Sequence, residues 1–188
     1  MPEFTIRPVT PPDIPAIAAL AREAWQASYP GIITQAQIDF MLEQRYNYPQ
    51  LMADLQDPGK WLDQAFAGDR RAGFAACEIY QGEYKLDKLY IHPESQRQGA
   101  GGALIDHAIA RARELGYPCV ILAVNKHNEP ALSAYRKYGF SVRAAVTSDI
   151  GDGFIMDDYI MERRTAVSPG HSPPIPGTSA AGRRKSAP

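Results

Sequence analysis

A glycine-rich turn is the segment of this chain whose residue types point most directly to chemistry. Residues 96–102 read Gln-Arg-Gln-Gly-Ala-Gly-Gly and lie between an apolar segment that ends at Pro93 and a long helical pattern. Such a turn exposes backbone N–H groups beside the positive end of a helix dipole, which favours a bound pyrophosphate. The turn lacks the ending of a P-loop and the spacing of the dinucleotide fingerprint. By itself it fits a flexible strand-to-helix connection equally well.

Asn128 and Tyr135 form a second candidate pair. Seven residues are about two helical turns, so both side chains are expected on one face of a helix that begins at Asn128. A structural interpretation is also open for each residue. Asparagine is a good helix N-cap, and a tyrosine on such a face can belong to the core.

The rest of the chain supplies the elements that must position these residues. Apolar periodicity and turn signals predict strands at 4–9 and 119–124, three antiparallel strands between 61 and 93, and closing strands at 140–146 and 155–162. Helices are expected from Thr10, from Thr34, from Pro49, at about 101–115 and at 128–138. This order predicts an α/β fold, a three-layer sandwich with helices on both faces of a mixed sheet of about seven strands.

Composition restricts the classes of protein that fit. Of the 188 residues, 45% are hydrophobic and 22% are charged, as in a globular protein. Residues 1–164, the predicted single domain, carry a net charge of −4, which argues against a nucleic-acid groove. Residues 165–188 contain five prolines, three glycines and four serines and are predicted to be a disordered tail. No apolar stretch is long enough for a membrane helix, no leader pattern begins the chain, and no metal-ligand spacing occurs, so the cytoplasm is the expected compartment.

In its second half the sequence resembles the GNAT superfamily of N-acetyltransferases. The resemblance rests on the strand 89–93, the Gln96-x-x-Gly99-x-Gly101 turn, the helix after it, the apolar strand, Asn128 with Tyr135, and Gly139-Phe140. It is strong over 85–164 and extends to 4–84 in element order only. It implies acetyl-CoA as co-substrate and transfer of the acetyl group to an amine within a ternary complex.

The resemblance assigns roles to individual residues. It implies that the strand Leu89, Tyr90 and Ile91 holds the pantetheine arm through main-chain groups. It implies that the pyrophosphate is wrapped by Gln96, Arg97, Gln98, Gly99, Ala100, Gly101 and Gly102. Asn128 is implied to bond the pantetheine amide. Tyr135 is implied to lie beside the sulfur, where a phenol with a pKa of about 10 can protonate the leaving thiolate.

The general base is the least defined part of the predicted site. A primary amine has a pKa of about 10.4 and attacks only after it loses a proton. Many GNAT relatives have a glutamate about six residues before the position of Ile91, where this chain has Lys85. Period-two alternation puts Asp87 on the face of Leu89 and Ile91, so we expect Asp87 as base or amine anchor. Alternatives are a water chain, or side chains of the preceding hairpin: Glu78, Glu83 and Tyr80.

The acceptor is expected to be a small amine. Four aspartates lie within residues 149–158, and an acidic rim would attract a cation; a solubilising turn is the structural alternative. Apolar walls are expected from Phe40, Tyr46, Tyr48, Phe154 and Tyr159. The segment loosely resembles the polyamine-acetylating branch. A peptide or protein N-terminus as acceptor, and a noncatalytic acetyl-CoA-binding module, remain alternatives. A homodimer is expected from base rates alone.

Overall fold

Seven strands and five α-helices make up residues 3–166, the part of the chain that the computed structural model describes. The strands are β1 (Thr5–Pro8), β2 (Lys60–Ala67), β3 (Arg70–Tyr80), β4 (Glu83–Ile91), β5 (Cys119–Asn125), β6 (Ser141–Gly151) and β7 (Phe154–Arg164). The helices are α1 (Ile14–Ser28), α2 (Gln35–Arg45), α3 (Tyr48–Gln56), α4 (Ala100–Glu114) and α5 (Glu129–Lys137).

The strands form one mixed sheet in the order β1-β2-β3-β4-β5-β7-β6. The pair β4–β5 is parallel, and every other neighbouring pair is antiparallel. Apolar side chains cover both faces. One buried cluster joins the sheet to α4, and a second joins it to α1, α2 and α3. The predicted three-layer α/β sandwich is therefore confirmed.

Local signals in the sequence set several helix starts. The side chain of Thr34 accepts a hydrogen bond from the backbone N–H of Gln37, and Asn47 does the same for Gln50, so α2 and α3 begin where their caps stand. Gly99 precedes α4 with a φ of 103°, a conformation that costs little only for glycine. The chain can therefore turn sharply from the end of β4 into α4.

The closing hairpin differs from its prediction. The strands β6 and β7 extend to Gly151 and from Phe154, so most of the aspartate-rich segment is paired strand rather than turn. Thr165 was expected in the tail, but it is buried and donates a hydrogen bond from its hydroxyl to the carbonyl of Tyr117 at 2.5 Å. The other residues of the predicted tail, from 167 onward, lie outside the described residues. Within 3–166, none of the helices combines the length and the apolar character that spanning a bilayer requires.

Candidate active site

A cleft opens where β4 and β5 diverge. Their ladder consists of the pairs Tyr84 with Val120 and Lys85 with Ile121, after which the strands separate. The cleft has a volume of about 900 Å³ and is bordered by the second half of β4, the end of β5, the start of α4 and one face of α5. Beyond Lys85 the backbone of β4 is paired with β3 on one side only. Its other edge is available to a ligand in extended conformation.

The end of β4 is held close to β3. Ile91 and Leu89 pack against the cluster on the α4 side of the sheet, and both border the cleft. Gly73 on β3 lies opposite Ile91, and a Cβ atom there would approach the carbonyl oxygen of Tyr90 to 2.7 Å. Only glycine fits this close approach without a shift of the backbone. Close packing against β3 thus fixes the position of the strand segment that is predicted to bind pantetheine.

The glycine-rich turn faces the cleft at the N-terminus of α4. Arg97 has a φ of 60°, Gly99 has a φ of 103°, and both border the cleft together with Gln96, Gly101 and Gly102. The first N–H groups of a helix have no acceptor within it, so α4 directs unpaired donors at this point. A diphosphate is the kind of ligand that such donors bind.

Two residues of the turn lie away from the cleft. Ala100 is buried against the α4 core. The side chain of Gln98 donates a hydrogen bond to the carbonyl oxygen of Glu94 at 2.7 Å. Neither borders the cleft, so their predicted contact with a ligand would have to be made through backbone groups.

Asn128 and Tyr135 both border the cleft from α5. The Asn128 side-chain carbonyl accepts a hydrogen bond from the N–H of Ala131 at 3.3 Å, so this residue is the helix cap. Tyr135 packs edge-on against Phe140, with ring centroids 5.8 Å apart. Burial raises the pKa of Tyr135 to about 12, which keeps its hydroxyl protonated and able to donate at neutral pH.

Two further tyrosines, Tyr29 and Tyr90, border the cleft, and the buried Tyr46 contacts Tyr90. The hydroxyls of Tyr46 and Tyr90 are 2.8 Å apart, and Tyr29 stacks on Trp25 with ring centroids 4.2 Å apart. Burial raises the pKa of each of the three. The sequence analysis did not identify Tyr29, because it follows the last turn of α1 and contacts the cleft only through the tertiary fold.

The structure contradicts the predicted face of Asp87. A β-bulge pairs Ala76 with Lys88 but Cys77 with Leu86, so Asp87 has no opposite partner on β3. The bulge breaks the period-two alternation that the prediction used. The carboxylate of Asp87 therefore turns toward α2, away from the face of Leu89, although Asp87 still borders the cleft as expected.

Three cations surround the Asp87 carboxylate. Its oxygens lie 2.6 Å from Arg45 Nη2, 2.7 Å from Lys85 Nζ and 2.8 Å from Lys88 Nζ. Burial by itself would raise the pKa of Asp87, but Lys88, Arg45 and Lys85 hold it well below its usual range. A carboxylate that holds its charge so firmly is a poor proton acceptor, so the geometry argues against the expected base.

The alternative carboxylates are also occupied. Glu78 lies 3.1 Å from Lys85 Nζ, and Glu83 forms a bidentate pair with Arg143 at 2.6 and 3.0 Å. Neither residue borders the cleft, and Tyr80 does not border it either. The hairpin between β3 and β4 thus supplies no base to this site.

The expected aromatic walls separate into two groups. Phe40 on α2 contacts Phe154 on β7 with ring centroids 5.3 Å apart, on the face that carries α1 to α3. Tyr159 packs against the cluster on the α4 face instead. Tyr46 is buried, whereas Tyr48 is exposed. The five residues therefore do not form one pocket.

The aspartates of the closing hairpin have different roles. Asp149 accepts a hydrogen bond from the N–H of Gly151 at 2.8 Å, and Asp152 is at the exposed tip. Asp157 forms an ion pair with Lys126 and borders a shallow depression of about 490 Å³ beside the loop between α1 and α2. Local contacts therefore engage two of the four aspartates of the expected acidic rim, Asp149 and Asp157.

The comparison with known proteins agrees with this geometry. A family model described as the acetyltransferase (GNAT) family matches residues 17–140, which is more than half of the chain. The chain belongs to the GNAT family. The predicted family, fold class and acetyltransferase activity are thus confirmed for this GNAT protein.

Individual relatives of this GNAT protein act on different acceptors. A spermidine N(1)-acetyltransferase of Thermoplasma acidophilum is 28% identical over 163 residues, which cover 85% of this chain and 96% of that protein. The crystal structure of the PaiA N-acetyltransferase of the same organism, in complex with coenzyme A, superposes with a TM-score of 0.74 at 26% identity and covers 86% of this chain and 99% of that one. A ribosomal protein bS18-alanine N-acetyltransferase of Escherichia coli is 32% identical over 72 residues, 38% of this chain and 49% of that protein.

Proposed function

We propose that this GNAT acetyltransferase transfers the acetyl group of acetyl-CoA to a primary amine of a small molecule, of the polyamine class. The observation that carries the proposal is the cleft between β4 and β5, bordered by a glycine-rich helix start at one end and by Tyr135 at the other. The relative named for spermidine, similar over most of both chains, supports the acceptor class.

The described residues fit acetyl-CoA. Gly99 and Gly101 keep side chains away from the N-terminus of α4, where the pyrophosphate would bind the free N–H groups, whereas Gly102 makes room for the side chain of Tyr138. Arg97 borders the same place and adds a positive charge. The unpaired edge of β4 beyond Lys85 offers main-chain groups to the amides of pantetheine.

The chemistry requires only positioning and proton transfer from this chain. Acetyl-CoA supplies a thioester, whose C–S bond breaks as the amine nitrogen forms a bond to the carbonyl carbon. Tyr135 donates its hydroxyl proton toward the departing sulfur, a role for which its pKa of about 12 keeps it protonated. Backbone N–H groups at the end of β4 stabilise the negative charge that develops on the carbonyl oxygen.

Contacts over the acceptor side favour a small molecule. The side chain of Gln37 on α2 donates a hydrogen bond to the carbonyl of Ile155 on β7 at 2.8 Å, and Phe40 rests on Phe154. These contacts join α2 to the β6–β7 hairpin. A polypeptide acceptor would need α2 and the β6–β7 hairpin to separate, whereas a flexible amine chain would not.

Thiol release from acetyl-CoA tests the proposal. The purified chain is offered spermidine, spermine, putrescine, an aminoglycoside, free amino acids and short peptides at equal concentration. We expect release with the polyamines, and no release with fully N-acetylated spermidine as the matched control. Faster release with a peptide N-terminus than with any small amine would contradict the acceptor class. If none of these acceptors leads to thiol release, the chain is not a catalyst of this reaction.

A further inference from the structure

Asp158 differs from the other acidic residues around the site because its carboxylate is not engaged. Within residues 3–166 its Oδ1 is buried and has no hydrogen-bond partner, and the side chain forms no ion pair. The residue as a whole is half-buried, but a buried carboxylate oxygen without a partner lowers the stability of a fold, so its presence calls for a ligand or a function.

The sheet register places Asp158 on the acceptor face. Asp158 lies opposite Asn125 on β5, while the next residue, Tyr159, lies opposite Val124. Val124 and Tyr159 pack on the α4 face. Since successive strand residues alternate, Asp158 points to the other face, where α1 and α2 lie. The strand β5 at this point has already separated from β4, and Tyr29, which borders the cleft, lies close enough to Asp158 for their charges to interact.

The neighbouring charged groups leave Asp158 free to bind a cation. The charged or titratable groups close enough to act on its carboxylate include Asp157 on its own strand, Lys126 after β5, Lys85 on β4, Arg45 on α2 and Tyr29 after α1. Lys126 pairs with Asp157, and both Arg45 and Lys85 pair with Asp87. Each of these three cations is thus already paired with another carboxylate, and Arg45 and Lys85 share that of Asp87.

We propose that Asp158 binds the ammonium group of the acceptor amine and receives its proton before acetyl transfer. The inference rests on the proposed function, and it names the base that the sequence analysis placed at Asp87. In this step an N–H bond of the ammonium breaks, an O–H bond forms on the Asp158 carboxylate, and the nitrogen lone pair becomes free to attack the thioester. The second N–H proton, which the nitrogen loses after its attack, replaces the proton that Tyr135 gives to the sulfur, and the proton on Asp158 leaves to solvent when the acetylated product departs.

The environment suits this exchange. Burial raises the pKa of Asp158, and the negative charge of Asp157 raises it further. Burial also lowers the pKa of a bound ammonium, so the two proton affinities approach each other inside the site. Asp87 has the opposite character, because three cations stabilise its charge.

The test compares Asp158→Asn with Asp106→Asn. Asp106 is exposed on α4, so its variant removes the same charge at a distance from the acceptor face. For Asp158→Asn we expect kcat/KM for spermidine to fall about a hundredfold or more, as for loss of a general base. The Kd for acetyl-CoA in calorimetry is expected to stay unchanged. Asp158→Glu, which keeps a carboxylate, is expected to restore part of the activity.

Two further readouts separate this role from a structural one. In a plot of kcat/KM against pH, the fall on the acidic side is expected to be lost in Asp158→Asn and kept in Asp106→Asn. The midpoint of thermal unfolding of Asp158→Asn is expected to be no lower than that of the wild type, because no hydrogen bond of this side chain is lost. Activity of Asp158→Asn within twofold of wild type would overturn the assignment. So would a loss of activity that is accompanied, in both Asp158→Asn and Asp158→Glu, by a lowered unfolding midpoint and weakened acetyl-CoA binding.

The outcomes for Asp158 and for the acceptor class remain distinguishable. If the wild type acetylates peptides but no small amine, the proposed function is wrong, and the same variants assayed with the reactive peptide still decide whether Asp158 is the base. If the wild type acetylates spermidine and Asp158→Asn does so equally well, the proposed function stands and the role of Asp158 is refuted. If neither small amines nor peptides lead to thiol release, both the proposed function and the role of Asp158 are overturned.

Discussion

The Asp87 carboxylate lies 2.8 Å from the ammonium of Lys88, although neighbouring residues of a strand ordinarily point to opposite faces. The bulge in β4 brings them to one side. Lys88 also reaches Asp54 on α3 at 3.3 Å. The three side chains are almost fully buried, so they form a charged link between the sheet and the helices above it.

Asp87→Asn is expected to destabilise the fold. Removing one member of a buried ion pair leaves Lys88 partly uncompensated, which costs about 3–5 kcal/mol in the free energy of unfolding. Urea denaturation measures this change, with exposed Asp106→Asn as the matched control, expected to change it by less than about 0.5 kcal/mol. A stability equal to wild type would show that the network contributes nothing.

The same variant should alter the dependence of stability on pH. Lys88, Arg45 and Lys85 hold the pKa of Asp87 in the folded protein well below the value of about 3.9 expected for an unfolded chain. The contribution of Asp87 is therefore present above that value and is lost as the pH falls through the folded pKa. The difference between wild type and Asp87→Asn should be constant near neutrality and should shrink in acid. A difference that grows in acid would contradict the ion pairs.

Local patterns in the sequence were sufficient for the order of elements and for the cofactor side of the cleft. Thr34 and Asn128 mark helix starts by short-range hydrogen bonds, and the positive φ of Gly99 is a local requirement of the turn into α4. These features are fixed within a few residues of chain. The predicted positions of Ile91 and Tyr135 at the cleft follow from them.

The acceptor side could not be predicted in the same way because long-range register decides it. Asp87 was placed on the wrong face, since one unpaired residue in β4 reverses every face assignment derived by alternation across it. Asp158 was predicted in the acidic rim and Tyr159 in the apolar wall of one acceptor pocket, but their pairing with β5 puts the two side chains on opposite faces of the sheet. Tyr29 gave no local signal. Sheet pairing, not composition, determines which of these side chains meet.

Tyr135→Phe should lower kcat while leaving the Kd for acetyl-CoA nearly unchanged. The variant keeps the ring that packs on Phe140 and removes only the hydroxyl that we propose donates to the departing sulfur. Loss of a general acid is expected to reduce kcat roughly a hundredfold. Tyr80→Phe removes an equivalent hydroxyl from an exposed position that does not border the cleft, and it should retain wild-type turnover. Unchanged kcat in Tyr135→Phe would remove the proposed acid.

Gly101→Ala should separate folding from cofactor binding. The residue is helical, and its Cβ would make ordinary contact with Ile91 Cγ1 at 3.6 Å, so the fold accepts it. Alanine is favoured over glycine in a helix by about 0.5–1 kcal/mol, so the unfolding midpoint should not fall. The added methyl borders the place proposed for the pyrophosphate, and the KM for acetyl-CoA should rise about tenfold. An unchanged KM would place the diphosphate elsewhere.

Phe40→Ala should affect the amine and spare the cofactor. Phe40 joins α2 to Phe154 over the acceptor side and lies on the face opposite to α4. Loss of its ring widens the gap between α2 and β7. The KM for spermidine should therefore rise about tenfold, equivalent to about 1.4 kcal/mol of binding. The KM for acetyl-CoA should stay constant, and Tyr48→Ala, at an exposed aromatic position at the start of α3, should change neither KM.

Because the contact between α2 and the hairpin is proposed to exclude polypeptides, Phe40→Ala should also gain activity toward short peptides relative to spermidine. A parallel rise in both KM values would instead indicate that Phe40 only supports the fold.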